Sequence, residues 1–332
     1  AHAISQHIEA AGVHSGDSSL IQPAPDIDDE KREQLLQIST ALTKKLNVNG
    51  PFNVQFMYKN KTFYVIEMNL RASRSFPFIC KTLGINFMAI AARILLDKKN
   101  AVKVECDPKK IGIKHFGVKC PKFSFKRLAG SDPILGLEMA STGESGCLGK
   151  DPFEALLKAL LSTDIEIPEY GNIIIVSESE HALRNYSLFF KFLRKMGYSF
   201  FYFLADSEGK KNEYEGEATK LEYQEAEYMI TSQKARLAMS FANPSPAIYV
   251  KTHQSELRKK LFTYRIPTIL DPNLAYWFSQ ALVNGAHIDI NYTMSLQDYL
   301  GIIPKKVRTS SYESIAEKVD VLKEIKKNNK ID

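Results

Sequence analysis

Apolar side chains recur every three or four residues in three stretches of the first half of the chain, a spacing typical of amphipathic helices. A stop signal or an N-terminal cap accompanies each stretch. The predicted helices run over Ile27–Leu46, over Phe87–Leu95 with Asn86 as its cap, and over Phe153–Leu160 after Asp151 and Pro152. We expect the first of them to pack on a sheet.

The second half alternates short apolar runs with helical ones. Predicted strands cover Ile173–Val176, Phe200–Leu204, Tyr228–Ile230, Ala247–Val250 and Pro267–Leu270, and predicted helices cover His181–Lys195, Ser255–Tyr264 and Pro272–Leu282. This alternation predicts a parallel sheet with helices on both faces. Between the halves, Pro and Gly interrupt any regular element in Ile167–Gly171, which predicts a hinge there.

Length and composition narrow the class of protein. The chain has 332 residues, so we expect two compact units, each with its own core. A hydrophobic share of 44% and a charged share of 25% are ordinary for a globular protein, and no apolar run reaches the ~20 residues of a spanning helix. The net charge is +6, and the surplus of basic residues is most concentrated in the tail 323–330, where a solvated helix end is favoured over a nucleic-acid arm. We therefore expect neither membrane nor nucleic acid as a partner.

The four cysteines, Cys80, Cys106, Cys120 and Cys147, lie far apart and include no CxxC pair. This spacing suggests neither a zinc site nor a disulfide framework. A reducing compartment fits best, and we expect a cytoplasmic protein, with a mitochondrial one as the alternative.

The segment Pro51–Arg74 carries the clearest chemistry and reads as two strands joined through residues 59–62. If the turn centres on Lys61, Gln55 lies opposite Glu67, and alternation sorts the side chains into two faces. The apolar face would hold Val54, Phe56, Tyr58, Tyr64, Ile66 and Met68, and the polar face Asn53, Gln55, Glu67 and Asn69.

A carboxylate beside amides offers the oxygen ligands that Mg²⁺ prefers, together with substrate phosphates. Just downstream, Arg71 and Arg74 present forked donors suited to phosphoryl or carboxylate oxygens. An alternative has about even weight on spacing alone: Glu67 pairs with one of these arginines on a solvated face and contributes about 0–1 kcal/mol.

Several long motifs occur together in a fixed order, and their combination resembles one enzyme family, the large chain of carbamoyl phosphate synthetase. The resemblance is dense from Ala1 to Pro168 and thins after Gly171. The motifs are HIEAAGVHSGDS, GPFNVQF, VIEMNLRASRSFPF with KTLG, and FSFKRLAGSDPILGLEMASTGE.

The resemblance implies an α/β and α+β architecture, in which a partial ATP-grasp lobe is followed by a Rossmann-like, doubly wound parallel-sheet domain. Residues 1–168 would be the rear part of the carbamate-phosphorylating ATP-grasp unit, and residues 169–332 a methylglyoxal-synthase-like allosteric domain. The implied activity is ATP-dependent formation of carbamoyl phosphate, a ligase reaction of the kind used in pyrimidine, arginine or urea synthesis. Phosphoryl transfer depends mainly on positioning and charge neutralisation, so no nucleophile is sought.

The resemblance also assigns roles to single residues. Gln55, Glu67 and Asn69 would hold two Mg²⁺ or Mn²⁺ ions on the ATP phosphates, with Gln55 and Glu67 also facing the nucleotide, while Arg71 and Arg74 would steady the phosphoryl group and the substrate. The loop Gly12, Val13, His14 and Ser15 would line the nucleotide pocket, although without that context a plain turn is favoured.

Two further motifs match the family. His7 and Ser18 match positions that hold a monovalent cation, so K⁺ is a further candidate cofactor, although Ala10 stands where the family often has a polar residue. The segment Ser141–Glu144 is read as a capped turn that leads out of a strand rather than as a catalytic element.

For the effector site we expect the carboxyl ends of the parallel strands, where ligands of such sheets bind. The candidates are Ser207, Thr231, Ser232 and Lys234. Acidic Asp206 and Glu208 weigh against an anionic effector in the first of these loops, and Lys234 and Arg236 read equally well as surface residues at the start of a helix.

We expect the partners to be an upstream part of the same polypeptide, a glutamine amidotransferase subunit or domain, and a small-molecule effector; the sequence leaves oligomer formation open. The adenine-clamping lobe would lie upstream of Ala1, so this piece alone is expected to be catalytically silent. The alternative is a non-catalytic regulatory or scaffold module of the same fold, against which the intact Gln55, Glu67, Asn69, Arg71 and Arg74 speak.

Overall fold

The computed structural model describes residues 1–96, 112–124, 132–163, 165–177, 187–204, 218–242, 252–284 and 294–301. Contacts divide the chain into one unit of residues 1–292 and a second of residues 293–332. The first predicted domain, residues 1–168, lies within the larger unit, the second, residues 169–332, extends into the smaller one, and the division near residue 168 stays a prediction. In the smaller unit, the described part is a short helix, Leu296–Tyr299, which Ser295 caps.

The described residues of the larger unit form three sheets. The first is antiparallel, in the order β1-β2-β5-β6, the second is the hairpin β3-β4, and the third is parallel, in the order β11-β10-β7-β8-β9. The strands are β1 Gln6–His7, β2 Leu20–Gln22, β3 Asn53–Lys59, β4 Thr62–Asn69, β5 Phe116–Lys122, β6 Gly143–Gly149, β7 Gly171–Ser177, β8 Tyr198–Leu204, β9 Thr219–Lys220, β10 Ala235–Phe241 and β11 Thr268–Ile269.

The helices of the larger unit are numbered here in chain order. They are α1 Asp29–Lys45, α2 Phe76–Leu83, α3 Phe87–Leu96, α4 Pro152–Leu161, α5 Ser187–Lys195, α6 Tyr223–Thr231, α7 His253–Thr263 and α8 Pro272–Asn284. Their starts follow from capping: Asp28, Asp151 and Thr252 each accept a backbone amide of the first turn. The side chain of Asn86 likewise accepts the amide of Ala89, as predicted for α3.

One hydrophobic core joins the antiparallel sheet to one face of the parallel sheet. Helix α4 lies between the two sheets, and its Leu156 and Leu160 are almost fully buried in the same cluster as Ile21 of β2 and Ile173 of β7. Helix α8 packs on α4 and adds Phe278 to this cluster. The shared core therefore fixes the first sheet against the parallel sheet.

A second cluster covers the other face of the parallel sheet. Ile174 and Val176 of β7 pack there against Leu257 and Leu261 of α7, because alternate residues of a strand point to opposite faces. The predicted parallel sheet with helices on both faces is confirmed.

Most predicted elements are confirmed, with one correction. The segment Tyr228–Ile230 is the end of helix α6 rather than a strand, because Glu222 and Glu225 form a capping box that starts a helix there. Helix α1 is confirmed as a helix, but it buries only Leu35, so its packing on a sheet stays a prediction. The predicted strand Ala247–Val250 and the first part of the helix His181–Lys195 lie outside the described residues.

Within the described ranges, no single helix is both long and apolar enough to cross a membrane. The pair α2 and α3 passes that test of length and composition only when taken together, and it is bent by 111°.

Candidate functional site

The hairpin β3-β4 closes through a two-residue turn. Its central residues, Asn60 and Lys61, have φ of 50° and 60°, the left-handed conformation that type I′ turns require. The flanking residues Lys59 and Thr62 pair directly across the turn. The turn therefore centres between Asn60 and Lys61, half a residue before the predicted centre.

A β-bulge shifts the register farther from the turn. Phe56 pairs with Val65, whereas the preceding residue Gln55 pairs with Glu67, so Ile66 is an extra residue on β4. The predicted pairing of Gln55 with Glu67 is confirmed, but it depends on this bulge. A regular ladder counted from the turn would place Gln55 opposite Ile66.

The bulge also changes the composition of the two faces. Tyr64 pairs with Met57 and shares the face of Gln55, so its predicted place on the apolar face is wrong. The pairs on the apolar face are Val54 with Met68, Phe56 with Val65 and Tyr58 with Phe63. The ring of Phe63 lies 4.6 Å from that of Tyr58, centroid to centroid.

The polar face gathers the predicted metal-binding residues. Asn53 pairs with Asn69, Gln55 pairs with Glu67, and the Nδ2 of Asn69 donates to Oε1 of Glu67 over 3.0 Å. The side chain of Glu67 is exposed. The carboxylate and the amides thus lie together on an open surface, where their oxygens are accessible to a cation.

Neither arginine forms an ion pair with Glu67 in the described ranges. The Nη1 of Arg71 donates to the carbonyl of Ala72 over 3.1 Å, and the Nη1 of Arg74 contacts Sδ of Met139 over 2.7 Å. The alternative in which Glu67 is neutralised by Arg71 or Arg74 therefore has no support in this geometry.

The loop of residues 12–18 folds against the segment 136–141. The amide of His14 donates to the carbonyl of Gly136 over 2.8 Å. The buried carboxylate of Asp17 accepts the amides of Ala140 and Ser141 over 2.8 and 2.9 Å. These bonds fix the loop, and with it the predicted nucleotide-lining residues.

Met139 brings this loop and Arg74 to one place. A Cβ added at Gly16 would lie 2.8 Å from the Sδ of Met139, the same atom that Arg74 contacts. Gly16 therefore permits the close approach of Met139. In the described part of the chain, no hydrogen bond or ion pair joins Gln55 or Glu67 to this loop.

Lys119 is a buried cation next to this loop and was not selected from the sequence. It is 1% exposed, and its Nζ lies 3.6 Å from Oε2 of Glu144 and 3.5 Å from the carbonyl oxygen of Gly16. Burial lowers the pKa of Lys119, although the carboxylates of Glu144 and Glu9 oppose that shift. A single Lys on a strand gives no sequence signal that distinguishes it from a surface residue.

The segment Ser141–Glu144 leads into strand β6, so the prediction that it leads out of a strand is wrong. Its role is to join elements: the amide and hydroxyl of Ser141 bond to Asp17 and to the carbonyl of Gly16, and Glu144 faces Lys119.

The predicted cation-binding residues, His7 and Ser18, flank a buried carboxyl group, that of Glu9, in the sequence. Burial, followed by the charge of Lys119, lowers the pKa of His7 to about 4, so its imidazole is neutral at pH 7. Ser18 is buried and its hydroxyl donates to the carbonyl of His14 over 3.4 Å. Between them in sequence, Glu9 is 5% exposed, and burial together with the charge of Asp271 raises its pKa to about 8.

Glu9 lies where the two sheets meet. Its Oε2 accepts the amide of Ser19 over 2.5 Å, and its Oε1 has no hydrogen-bond partner among the described residues. The next residue, Ala10, donates its amide to Asp271, which also caps helix α8 through Asn273 and Leu274. The sequence motif contained Glu9, but only its burial distinguishes it from the neighbouring positions.

Three of the four effector candidates do not lie at the carboxyl end of a strand, where the prediction placed them. Thr231 is the last residue of helix α6, and Ser232 and Lys234 lie between that helix and the first residue of β10, so all three are near the amino end of that strand. The hydroxyl of Ser232 donates to the carbonyl of Tyr228, and Lys234 lies over the ring of Tyr228 at 4.7 Å. Ser207 lies outside the described residues.

Comparison with known proteins gives one family for the first part of the chain. Residues 5–101 match the family described as "Carbamoyl-phosphate synthase L chain, ATP binding domain". This range contains the loop 12–18, the hairpin and both arginines. It confirms the resemblance drawn from the motifs.

Individual relatives agree. The chain is 43% identical over 200 residues to the multifunctional protein pyrABCN of Emericella nidulans, covering 60% of this chain and 9% of the relative. It is 46% identical over 173 residues to the multifunctional protein CAD of Squalus acanthias, covering 52% and 8%. It is 44% identical over 182 residues to the mitochondrial carbamoyl-phosphate synthase [ammonia] of Homo sapiens, covering 54% and 12%. The matches thus span only about a tenth of these relatives.

Proposed function

We propose that this chain forms one part of a site where ATP phosphorylates carbamate, because residues 5–101 match the ATP-binding domain of the carbamoyl-phosphate synthase large chain. The observation that carries the proposal is the pairing of Gln55 with Glu67 and the bond from Asn69 to the same carboxylate. The reaction would yield carbamoyl phosphate and belongs to a polypeptide longer than this chain. Its ammonia would come from a glutamine amidotransferase or from solution.

The donor set on the hairpin fits a divalent cation bound to ATP. One carboxylate oxygen of Glu67 accepts from Asn69, and the other is free to ligate, as are the amide oxygens of Gln55 and Asn69. One carboxylate with neutral oxygen donors is what Mg²⁺ or Mn²⁺ uses when substrate phosphates complete the shell. A cation held there would neutralise charge on the transferred phosphate.

Three cationic side chains could orient the other reactants. Arg74 lies against Met139 beside the loop 12–18, and the charge of Arg74 contributes to lowering the pKa of Lys119, which places the two cations near each other. A forked guanidinium and a buried ammonium suit the carboxylate of carbamate and the transferred phosphoryl oxygens. Arg71, exposed after β4, would contact the phosphoryl group from the hairpin side.

The buried carboxyl of Glu9 fits a monovalent cation better than the sequence indicated. His7 is neutral at pH 7 and Ser18 is buried, so both carry uncharged lone pairs, and the Oε1 of Glu9 has no hydrogen-bond partner among the described residues. K⁺ in that position would supply the positive charge that this carboxyl lacks.

The parallel sheet supports the proposal of a Rossmann-like regulatory domain over residues 169–332. In its order, β11-β10-β7-β8-β9, the strands β8 and β9 lie on one side of β7 and the later strands β10 and β11 on the other. Ligands of such sheets bind beyond the carboxyl ends of the strands at the point where the order switches sides, here between β7 and β10. We place a methylglyoxal-synthase-like effector site at that edge and not at Thr231, Ser232 and Lys234. Residues 1–168 would then be the catalytic part.

The cation site is tested by Mn²⁺ binding in the presence of ATP, followed by electron paramagnetic resonance. Glu67→Gln removes the only charged ligand of the set and should weaken Mn²⁺ binding by about tenfold or more. Because Glu67 is exposed, this variant should keep its fold. Glu33→Gln, which changes an exposed carboxylate on α1, is the matched control and should bind like wild type. Equal Mn²⁺ affinity in all three proteins would refute the proposal.

The need for a longer polypeptide is tested by the reverse reaction. The chain alone, incubated with ADP, Mg²⁺ and carbamoyl phosphate, should form no ATP, because the polar face of the hairpin is open to water. The same residues within the complete polypeptide should form ATP, and Glu67→Gln in that context should not. ATP formed by the chain alone would contradict the proposed division of labour.

A further inference from the structure

A cavity of about 300 Å³ lies at the edge of the parallel sheet opposite the proposed effector site. It is formed where the amino ends of β10 and β11 meet the linker that precedes β7. The residues that bear on its chemistry are Glu166, Pro168, Gln233, Arg236, Tyr264 and Arg265. Its volume is sufficient for a small metabolite.

Two guanidinium groups line this cavity and are not neutralised. Arg236 lies on β10 and Arg265 follows helix α7, and the guanidinium group of neither has a hydrogen bond or ion pair with any described residue. The stem of Arg236 packs on the backbone of Gly171, where an added Cβ would lie 2.9 Å from its Cγ. This packing limits the freedom of the side chain, so the guanidinium groups of both arginines are available to an anionic group in the cavity.

The backbone holds these residues at the cavity. Gln233 and Arg265 have φ of 55° and 58°, each one residue past the C-cap of a helix, the left-handed position that ends many helices. Helices α6 and α7 therefore both direct their C-terminal ends to this edge. The partial negative charge of a helix C-terminus favours a cation nearby.

A carboxylate completes the set. Glu166 lines the same cavity and has no hydrogen bond or ion pair within the described ranges, so its charge is not neutralised by either arginine. The linker itself is fixed, because the hydroxyl of Tyr198 donates to the carbonyl of Pro168 over 2.5 Å. The cavity thus presents separate positive and negative groups on a supported backbone.

We propose that this cavity binds a small zwitterion, a free amino acid, with its carboxylate between Arg236 and Arg265 and its ammonium group at Glu166. A simple anion would be repelled by Glu166 and by two helix C-termini, and a simple cation would be repelled by two arginines. A zwitterion satisfies both sets of groups. The site is separate from the phosphorylation site and does not depend on the function proposed for it.

The test uses the full 332-residue chain at low salt, where exposed charges are least screened. L-alanine is the probe, with propionate and ethylamine as matched compounds that each lack one charged group. Binding is followed by nuclear magnetic resonance of the arginine side-chain NH groups. L-alanine should give saturable shifts, and each matched compound should bind at least about fivefold more weakly.

Variants assign the two ends of the ligand. Arg236→Gln and Arg265→Asn should each weaken L-alanine binding by about tenfold, and asparagine tolerates the left-handed backbone. Glu166→Gln should remove the preference for L-alanine over propionate. Arg93→Gln, at an exposed arginine of α3, should bind like wild type. Arg236→Lys keeps the charge without the fork and serves if the glutamine variant fails to fold.

The proposal is overturned by either of two results. The first is propionate binding as tightly as L-alanine to wild type, which would show that the ammonium group has no partner. The second is L-alanine shifts that are the same in wild type, Arg236→Lys and Arg265→Asn, which would place the bound probe elsewhere.

Discussion

Arg258 and Asp132 form a bidentate ion pair between two distant parts of the chain. The Nε and Nη2 of Arg258 donate to the two carboxylate oxygens over 2.8 and 2.7 Å, and the arginine side chain is 2% exposed. Arg258 lies on α7, and Asp132 precedes the segment that holds the loop 12–18. The pair therefore connects the parallel sheet to the proposed nucleotide loop.

Breaking this pair should destabilise the chain strongly. Arg258→Met leaves the Asp132 carboxylate without its partner at a buried position, which costs about 3–5 kcal/mol. The free energy of unfolding from urea titrations is the measurement, with Arg93→Met as an exposed control. The double variant Arg258→Met with Asp132→Leu should regain part of the loss. A loss below about 1 kcal/mol in the single variant would mean that the pair behaves like a surface pair.

Glu154 should make stability depend on pH on the acid side. Burial raises the pKa of Glu154, but bonds from Lys158 and from the amide of Lys150 outweigh it and hold the pKa below the usual 4.5. The folded state thus favours the carboxylate. The contribution of Glu154 to the free energy of unfolding is complete above pH 4.5 and is lost as the pH falls through the folded-state pKa.

The contribution of Glu154 to stability can be measured as the difference between wild type and a variant that lacks the charge. Glu154→Gln should lower the free energy of unfolding by about 1–3 kcal/mol at neutral pH, the range for hydrogen bonds to charged groups. Urea titrations of both proteins at a series of pH values should converge as the solution is acidified. A difference that stays constant down to the acid limit would contradict the assignment.

Gly149 should tolerate no side chain. A Cβ there would lie 2.4 Å from the backbone nitrogen of Ala155, in the first turns of α4, and backbone cannot move aside as a side chain can. Gly149→Ala should therefore cost about 3 kcal/mol in thermal or urea unfolding. Gly136→Ala, at a position with nothing within 4 Å of an added Cβ, is the matched control and should change stability little. Similar values for both variants would disprove the packing argument.

Replacing Lys61 with glycine should stabilise the hairpin. It holds a left-handed φ of 60° in the type I′ turn, and Asn-Gly is the preferred pair for that turn. Lys61→Gly should slow amide hydrogen exchange in β3 and β4, with a gain of about 0.5–1 kcal/mol. Lys59→Gly, in a regular strand position, should weaken the hairpin instead. If both glycine variants weaken it, the turn type is incorrect.

Elements with strong periodic signals could be predicted from the sequence. Helix α4 shows Asp151 and Pro152 before a run of apolar residues, and the structure has the cap and the helix at that place. Strands β7 and β8 were predicted because short apolar runs alternate with helical ones. The failure at Tyr228–Ile230 has a local cause, since three apolar residues fit a strand or the end of a buried helix equally well.

The residues of the candidate site also include some that could be predicted from the sequence and some that could not. Gln55, Glu67 and Asn69 could be predicted because strand alternation is a local rule, although the bulge beside them could not. Lys119, Glu9 and Asp271 could not be predicted, because their roles depend on burial between two sheets that are distant in sequence. Local patterns carry no information about which polar residues a tertiary contact will bury.

The single extra residue at Ile66 has a consequence for anyone who redesigns this hairpin. Two pairing registers apply along one pair of strands, one near Asn60 and another, shifted by one residue, near Glu67. A replaced or shortened turn can leave Glu67 opposite Gln55 so long as the one-residue difference between the two registers is kept. Deletion of Ile66 would remove the one-residue difference, so that the whole pair follows the register near Asn60, and Gln55 would still lie opposite Glu67.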